Sequence, residues 1–117
     1  MDDLQGRTKR LALEVIRLVG RLPGSTEGRI IGRQVLRSAT SVGAHYRECR
    51  HSRSRAEFRS KLGLALQELE ETLYWLELLK ESNVSAGPRL AALMNECDEL
   101  IAILITCIKT TRQSGRR

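Results

Sequence analysis

Residues 54–83, SRAEFRSKLGLALQELEETLYWLELLKESN, decide the fold. Ser54 ahead of Glu57 forms a capping box, a hydroxyl and a carboxylate spaced to hold the free N–H groups of a helix start, and Phe58 follows at once. From there Phe58, Leu62, Ala65, Leu69, Leu73, Leu76 and Leu79 recur every three or four residues, the period of one helical face. Such a helix spans roughly 40 Å at 1.5 Å per residue. A single apolar face of that length has to be covered by other long helices.

The flanking sequence supplies them. Upstream, Ile31, Val35, Ala39, Val42, Tyr46 and Cys49 form the seam of a helix over 26–50, started by Ser25 or Thr26 and ended by His51-Ser52-Arg53. Small residues, Ser38, Ala39, Ser41, Gly43 and Ala44, cluster in its middle and let a neighbour approach closely. Before it, Leu4, Leu11, Val15, Leu18 and Leu22 mark a helix over 4–21 that Pro23-Gly24 stops. Downstream, Pro88 suits the first position of a helix over 88–111 that carries Leu90, Leu93, Cys97, Leu100, Ile101, Leu104 and Ile108. Residues 112–117 read as a basic tail. Short connections between long amphipathic helices make antiparallel neighbours, so the expected fold is one all-α domain, an up-down antiparallel four-helix bundle spanning 1–117.

Composition agrees. Aromatic residues make up 3% of the 117 residues against 41% hydrophobic, so the core has to be aliphatic. The most apolar stretch, Leu100 to Ile108, is far short of the roughly 20 residues that a membrane span needs. Met1-Asp2-Asp3 lacks the basic-then-apolar order of a secretion signal, and a cytoplasmic location is expected. Cys49, Cys97 and Cys107 are odd in number and fall on apolar faces, which fits buried, reduced thiols.

Charge is polarised along the chain. Between Arg29 and Lys61 nine basic residues face two acids, a net +7, whereas between Glu68 and Glu99 eight acids face two bases, a net −6. The basic set is Arg29, Arg33, Arg37, Arg47, Arg50, Arg53, Arg55 and Arg59, with Lys61. Arginine's planar fork donates two parallel hydrogen bonds to phosphate, so the eight arginines of this set are the candidate nucleic-acid surface. For Arg33 and Arg37 a second reading stands beside it: pairing with the acids of the third helix.

Catalytic and metal chemistry find little support. Glu48-Cys49-Arg50-His51 has the Glu-x-x-His spacing of di-iron bundles, but the second copy and the two further inward carboxylates are missing. His45 and Cys49 supply two of the four ligands that a structural zinc takes. No phosphate loop or nucleophile elbow occurs. Neither an enzymatic activity nor a cofactor is expected. Leu64, Leu66, Trp75, Leu78, Met94, Ile103 and Ile105 lie off the main seams, and this surplus points to a subunit interface, chiefly through Leu64, Trp75, Leu78, Met94 and Ile105.

Three separated motifs carry a family resemblance: residues 33–48, RQVLRSATSVGAHYRE; residues 54–62, SRAEFRSKL; and residues 71–79, ETLYWLELL. Over about Leu22 to Ile108 the chain resembles the four-helix-bundle proteins encoded in intervening sequences of bacterial large-subunit ribosomal RNA genes, relatives of the accessory variability proteins of diversity-generating retroelements. The resemblance implies a homopentamer, a ring or barrel of bundles around a channel. For the retroelement relatives it implies a basic surface that binds nucleic acid and a reverse transcriptase. His45 stands where the family pattern has Asn. Two functions follow as expectations: an oligomeric nucleic-acid-binding accessory protein, or a structural oligomer whose charges serve assembly.

Overall fold

The computed structural model describes residues 3–115 and consists of α1 (Leu4–Gly20), α2 (Thr26–Arg50), α3 (Arg55–Glu81) and α4 (Pro88–Gly115), with no strand among the described residues. α1 packs on α2, α2 on α3 and α3 on α4; α4 then closes on α1 along a thinner seam, and among the described residues neither diagonal pair brings its backbones as close as the neighbouring pairs. The result is an up-down bundle, a rod of 53 × 22 × 20 Å.

Local chemistry sets the helix boundaries. Ser25 Oγ accepts the Gly28 N–H at 3.1 Å to start α2. A Cβ at Gly28 would lie 2.5 Å from the Pro23 carbonyl oxygen, so this corner closes only over glycine. Ser54 Oγ accepts the Glu57 N–H at 3.0 Å, and Glu57 reaches back at 2.6 Å to the N–H of Arg53, one residue ahead of the donor a capping box ordinarily serves. α3 ends in a Schellman turn, the Val84 N–H donating to Leu79 O at 3.1 Å across Asn83, whose φ of +62° is a left-handed conformation that asparagine tolerates.

α1 and α3 stop at Gly20 and Glu81, slightly inside the bounds read from sequence, and α4 runs past Thr111 to Gly115. No Gly or Pro interrupts α4 earlier, and Thr111 folds its hydroxyl back onto the Cys107 carbonyl at 2.8 Å. Arg112 and Gln113 of the expected tail are therefore helical, while Arg116 and Arg117 lie outside the described residues.

The core is mostly aliphatic. Leu11 and Val15 from α1, Val35, Ala39 and Val42 from α2, Leu62, Leu69, Leu76 and Leu79 from α3, and Leu90, Leu100 and Leu104 from α4 are each at most 1% exposed. Each buried leucine contributes about 1.5–3 kcal/mol. Cys49 and Cys97 are free thiols inside this core, and burial pushes them up to about 11 and about 12; Cys107 is half-buried. The α3 seam departs from the expected one at a single step: Thr72 is fully buried where the apolar pattern pointed to Leu73, which is half-buried. Thr72 Oγ1 lies 2.9 Å from the equally buried Ser38 Oγ and 2.8 Å from the Glu68 carbonyl, so its hydroxyl is satisfied inside the core.

Candidate nucleic-acid interface

Helical geometry divides the arginines of α2 between two seams. Arg29 and Arg33 face the α1 side, and Leu36, not Arg37, continues their row. Arg37 turns to α3, where it donates to Glu68 at 3.3 Å and to Glu71. Glu71 also accepts the Trp75 indole N–H at 3.1 Å, and this bond first, with the Arg37 guanidinium second, holds its carboxyl below the usual carboxylate range. Beneath the surface the Ser38–Thr72 contact joins the same two helices. Arg37 therefore fits the pairing reading offered by the sequence, and among the described residues Arg33 has no such partner.

Along the α1–α2 seam three hollows follow one another. The first, about 330 Å³, is lined by Arg29, Arg33 and Leu36 over a floor that includes Gly28 and Gly32. The second, about 290 Å³, lies between Lys9 and Ala12 of α1 and Thr40, Gly43, Ala44 and Arg47 of α2. The third, about 410 Å³, is bounded by Gln5, Arg47, Arg50 and His51. Close approach of the helices explains the small residues: a Cβ on Gly43 would already stand 3.4 Å from Thr8 Oγ1. Arg29 donates to the Gly24 carbonyl at 2.6 Å and Arg50 to the Gln5 side chain, which steadies both heads at the groove edge. Arg33 and Arg47 are exposed and, among the described residues, unpaired.

Not every residue singled out in the sequence joins this groove. Arg53 and Arg55 sit exposed at the α2–α3 turn and Arg59 is half-buried on the first turns of α3; none lines the hollows. Sequence reading missed Lys9 and Gln5, because their relation to α2 depends on which helix α1 lies against. Of the apolar residues expected at a subunit interface, Leu64 is exposed, and Trp75, Leu78, Met94 and Ile105 are half-buried, with Trp75 and Met94 packed against the chain's own core. On α3, Leu64 and Trp75 share the side of Glu68 and Glu71, and Tyr74 stands edge-on to Trp75 at 5.1 Å. Leu13, Ile16 and Ile30, on α1 and α2, are as exposed as Leu64 or more so, at 40%, 47% and 59%, and went unnoticed as single residues in polar surroundings.

His45 is half-buried and faces Glu48 at 3.4 Å. This contact, followed by Lys61, keeps the Glu48 carboxyl low. Glu48 and His51 are exposed while Cys49, between them in sequence, points into the core, and among the described residues no three potential metal ligands converge. No helix is long and apolar enough to cross a membrane among the described residues.

The family described as 23S rRNA-intervening sequence protein matches residues 3–106. A crystal structure of a protein of unknown function from the S23 ribosomal protein family of Bacteroides thetaiotaomicron is similar over 90% of this chain and 97% of that one, with 34% identity and a TM-score of 0.83. No curated protein matches. The four packed helices, the order of the three sequence motifs and these two matches agree, and the chain belongs to the 23S rRNA-intervening sequence protein family.

Proposed function

We propose that this protein is a non-enzymatic, nucleic-acid-binding homo-oligomer, five copies around a channel, that holds the sugar–phosphate backbone of RNA in its α1–α2 groove. The observation that carries this reading is the pair Arg33 and Arg47, exposed and without partners among the described residues, on one side of α2. Fourteen residues separate them, about 21 Å of helix, enough to meet several phosphates. Between them the groove floor is small side chains and glycine, which admits a close backbone. With aromatics at 3% of the chain, base stacking contributes little and sequence preference is weak. Five copies of a +6 chain carry a formal +30, so contacts too weak singly add up on one polyanion. The family's association with ribosomal RNA genes supports RNA as the ligand, and Leu64, Trp75, Leu78, Met94 and Ile105 supply apolar surface for assembly.

Binding of a structured RNA measured across salt concentrations tests this. The log affinity falls linearly with log salt, and Arg33→Glu with Arg47→Glu flattens the slope by roughly 1.8 for each subunit in contact with the RNA, at about 0.9 per phosphate. Unchanged binding by this double variant at every salt concentration rejects the groove. A monomeric mass by light scattering at micromolar concentration rejects the assembly.

A further inference from the structure

The seam between α1 and α4 holds a cavity of a different kind, about 370 Å³, unrelated to the basic groove. It lies where two neighbouring helices touch least, and its floor is apolar, with Leu11 and Leu93 at 1% and 7% exposure and Ala92 beside them. Its ionisable rim is unbalanced. Glu96 is held by Arg7 in a two-pronged pair at 2.7 and 2.9 Å, and Glu14 by Arg17 at 2.7 Å. Both lining carboxylates are thus occupied. Arg10 and Arg89, one from each helix, line the same cavity with no ion pair or side-chain hydrogen bond among the described residues.

We infer that this cleft is a binding site for a small amphipathic anion, its carboxylate or phosphate head held by Arg10 and Arg89 and its apolar body laid on Leu11, Ala92 and Leu93. The charge argument selects the ligand. A cation meets two unpaired guanidinium groups, and a neutral chain leaves them unused. The lining covers eight residues of each helix, 7–14 and 89–96, about 12 Å, and with its volume this fits a small molecule better than a partner helix of several turns. Bound there, the ligand bridges the thinnest seam of the bundle and stabilises the folded chain by mass action.

Calorimetric titration with decanoate and with decyl phosphate, against decanol and decylamine as neutral and cationic controls, tests the site. Both anions bind and raise the melting temperature, and the controls do not. A preference between the two anions identifies the head group. Replacing Arg10 or Arg89 by Ala weakens binding about tenfold, the cost of losing a charge-assisted hydrogen bond, with helicity unchanged because neither side chain supports the fold. Ala92→Trp fills the cleft and abolishes binding. The Arg33→Glu and Arg47→Glu variant binds the anions as wild type does, so failure here is separate from failure of the nucleic-acid groove. Equal uptake of decanol, or undiminished affinity in both arginine variants, overturns the assignment.

Discussion

Arg33 and Arg37 stand one turn apart on the same helix in opposite surroundings. Arg37 faces a seam that offers opposite charge, two carboxylates closing around it, one of them also held by the Trp75 indole, above a buried Ser38–Thr72 contact. Arg33 faces a hollow whose lining from the α1 side is Val19, Leu22 and Pro23, with no acid among them. The difference originates in the partner helices. α3 places Glu68 and Glu71 on its α2 side, whereas α1 turns Glu14 toward α4 and leaves Lys9 beside α2. A basic residue is therefore part of the fold or available to a ligand according to the helix it meets, a distinction that its own sequence position does not contain.

Reversing the charge of each arginine separates the two roles most strongly. Arg37→Glu sets three carboxylates together and lowers stability by about 1–2 kcal/mol, a modest figure because the site is half-exposed and screened. Arg33→Glu changes stability by less than about 0.5 kcal/mol, the usual range for an unpaired surface position. Chemical denaturation of both variants gives the comparison, and equal losses would dissolve it.

Thr72→Val sharpens the same contrast inside the core. It keeps the shape and removes the hydroxyl that meets Ser38, lowering stability by about 1 kcal/mol. The nucleic-acid salt slope stays unchanged, since nothing in the α1–α2 groove is touched. A flattened slope in this variant would mean that the two seams are coupled.

The smallest effect is on pH dependence. The Glu71 carboxyl is depressed in the folded protein, so its contribution is complete above the ordinary carboxylate value of about 4.3 and is lost as pH falls through the lower folded value. Between about pH 5 and pH 3 wild type therefore loses slightly more stability than Glu71→Gln. Melting temperatures across that range measure the difference, and Trp75 emission should change in the same window. Parallel curves would show that Glu71 is not charged by choice of its neighbours.

Much of the architecture was legible because it rests on local signals. Ser25, Ser54 and Pro88 each mark a helix start through backbone chemistry within four residues, and leucine spacing marks the buried faces. What escaped depended on neighbours far along the chain. Thr72 was passed over for Leu73 because only Ser38 opposite makes a buried hydroxyl acceptable. Arg33 and Arg37 looked alike until α1 and α3 were placed. Lys9 and Gln5 joined the candidate groove from more than 30 residues away, and α4 outran its expected end because no stop signal follows Thr111 closely.

The ring of neighbours also fixes an order of assembly. Three of the four seams join helices linked by residues 21–25, 51–54 and 82–87, so each forms as a hairpin with little loop entropy to overcome. Only the seam between α1 and α4 joins distant segments, with Arg7 and Glu96 separated by 89 positions. Loop entropy makes it the seam expected to close last during folding and to open first in the native state. Hydrogen exchange should accordingly reach the amides of α1 before those of α3, and a chain that exchanges a helix with a second copy would do so by releasing α1 about the connection at residues 21–25.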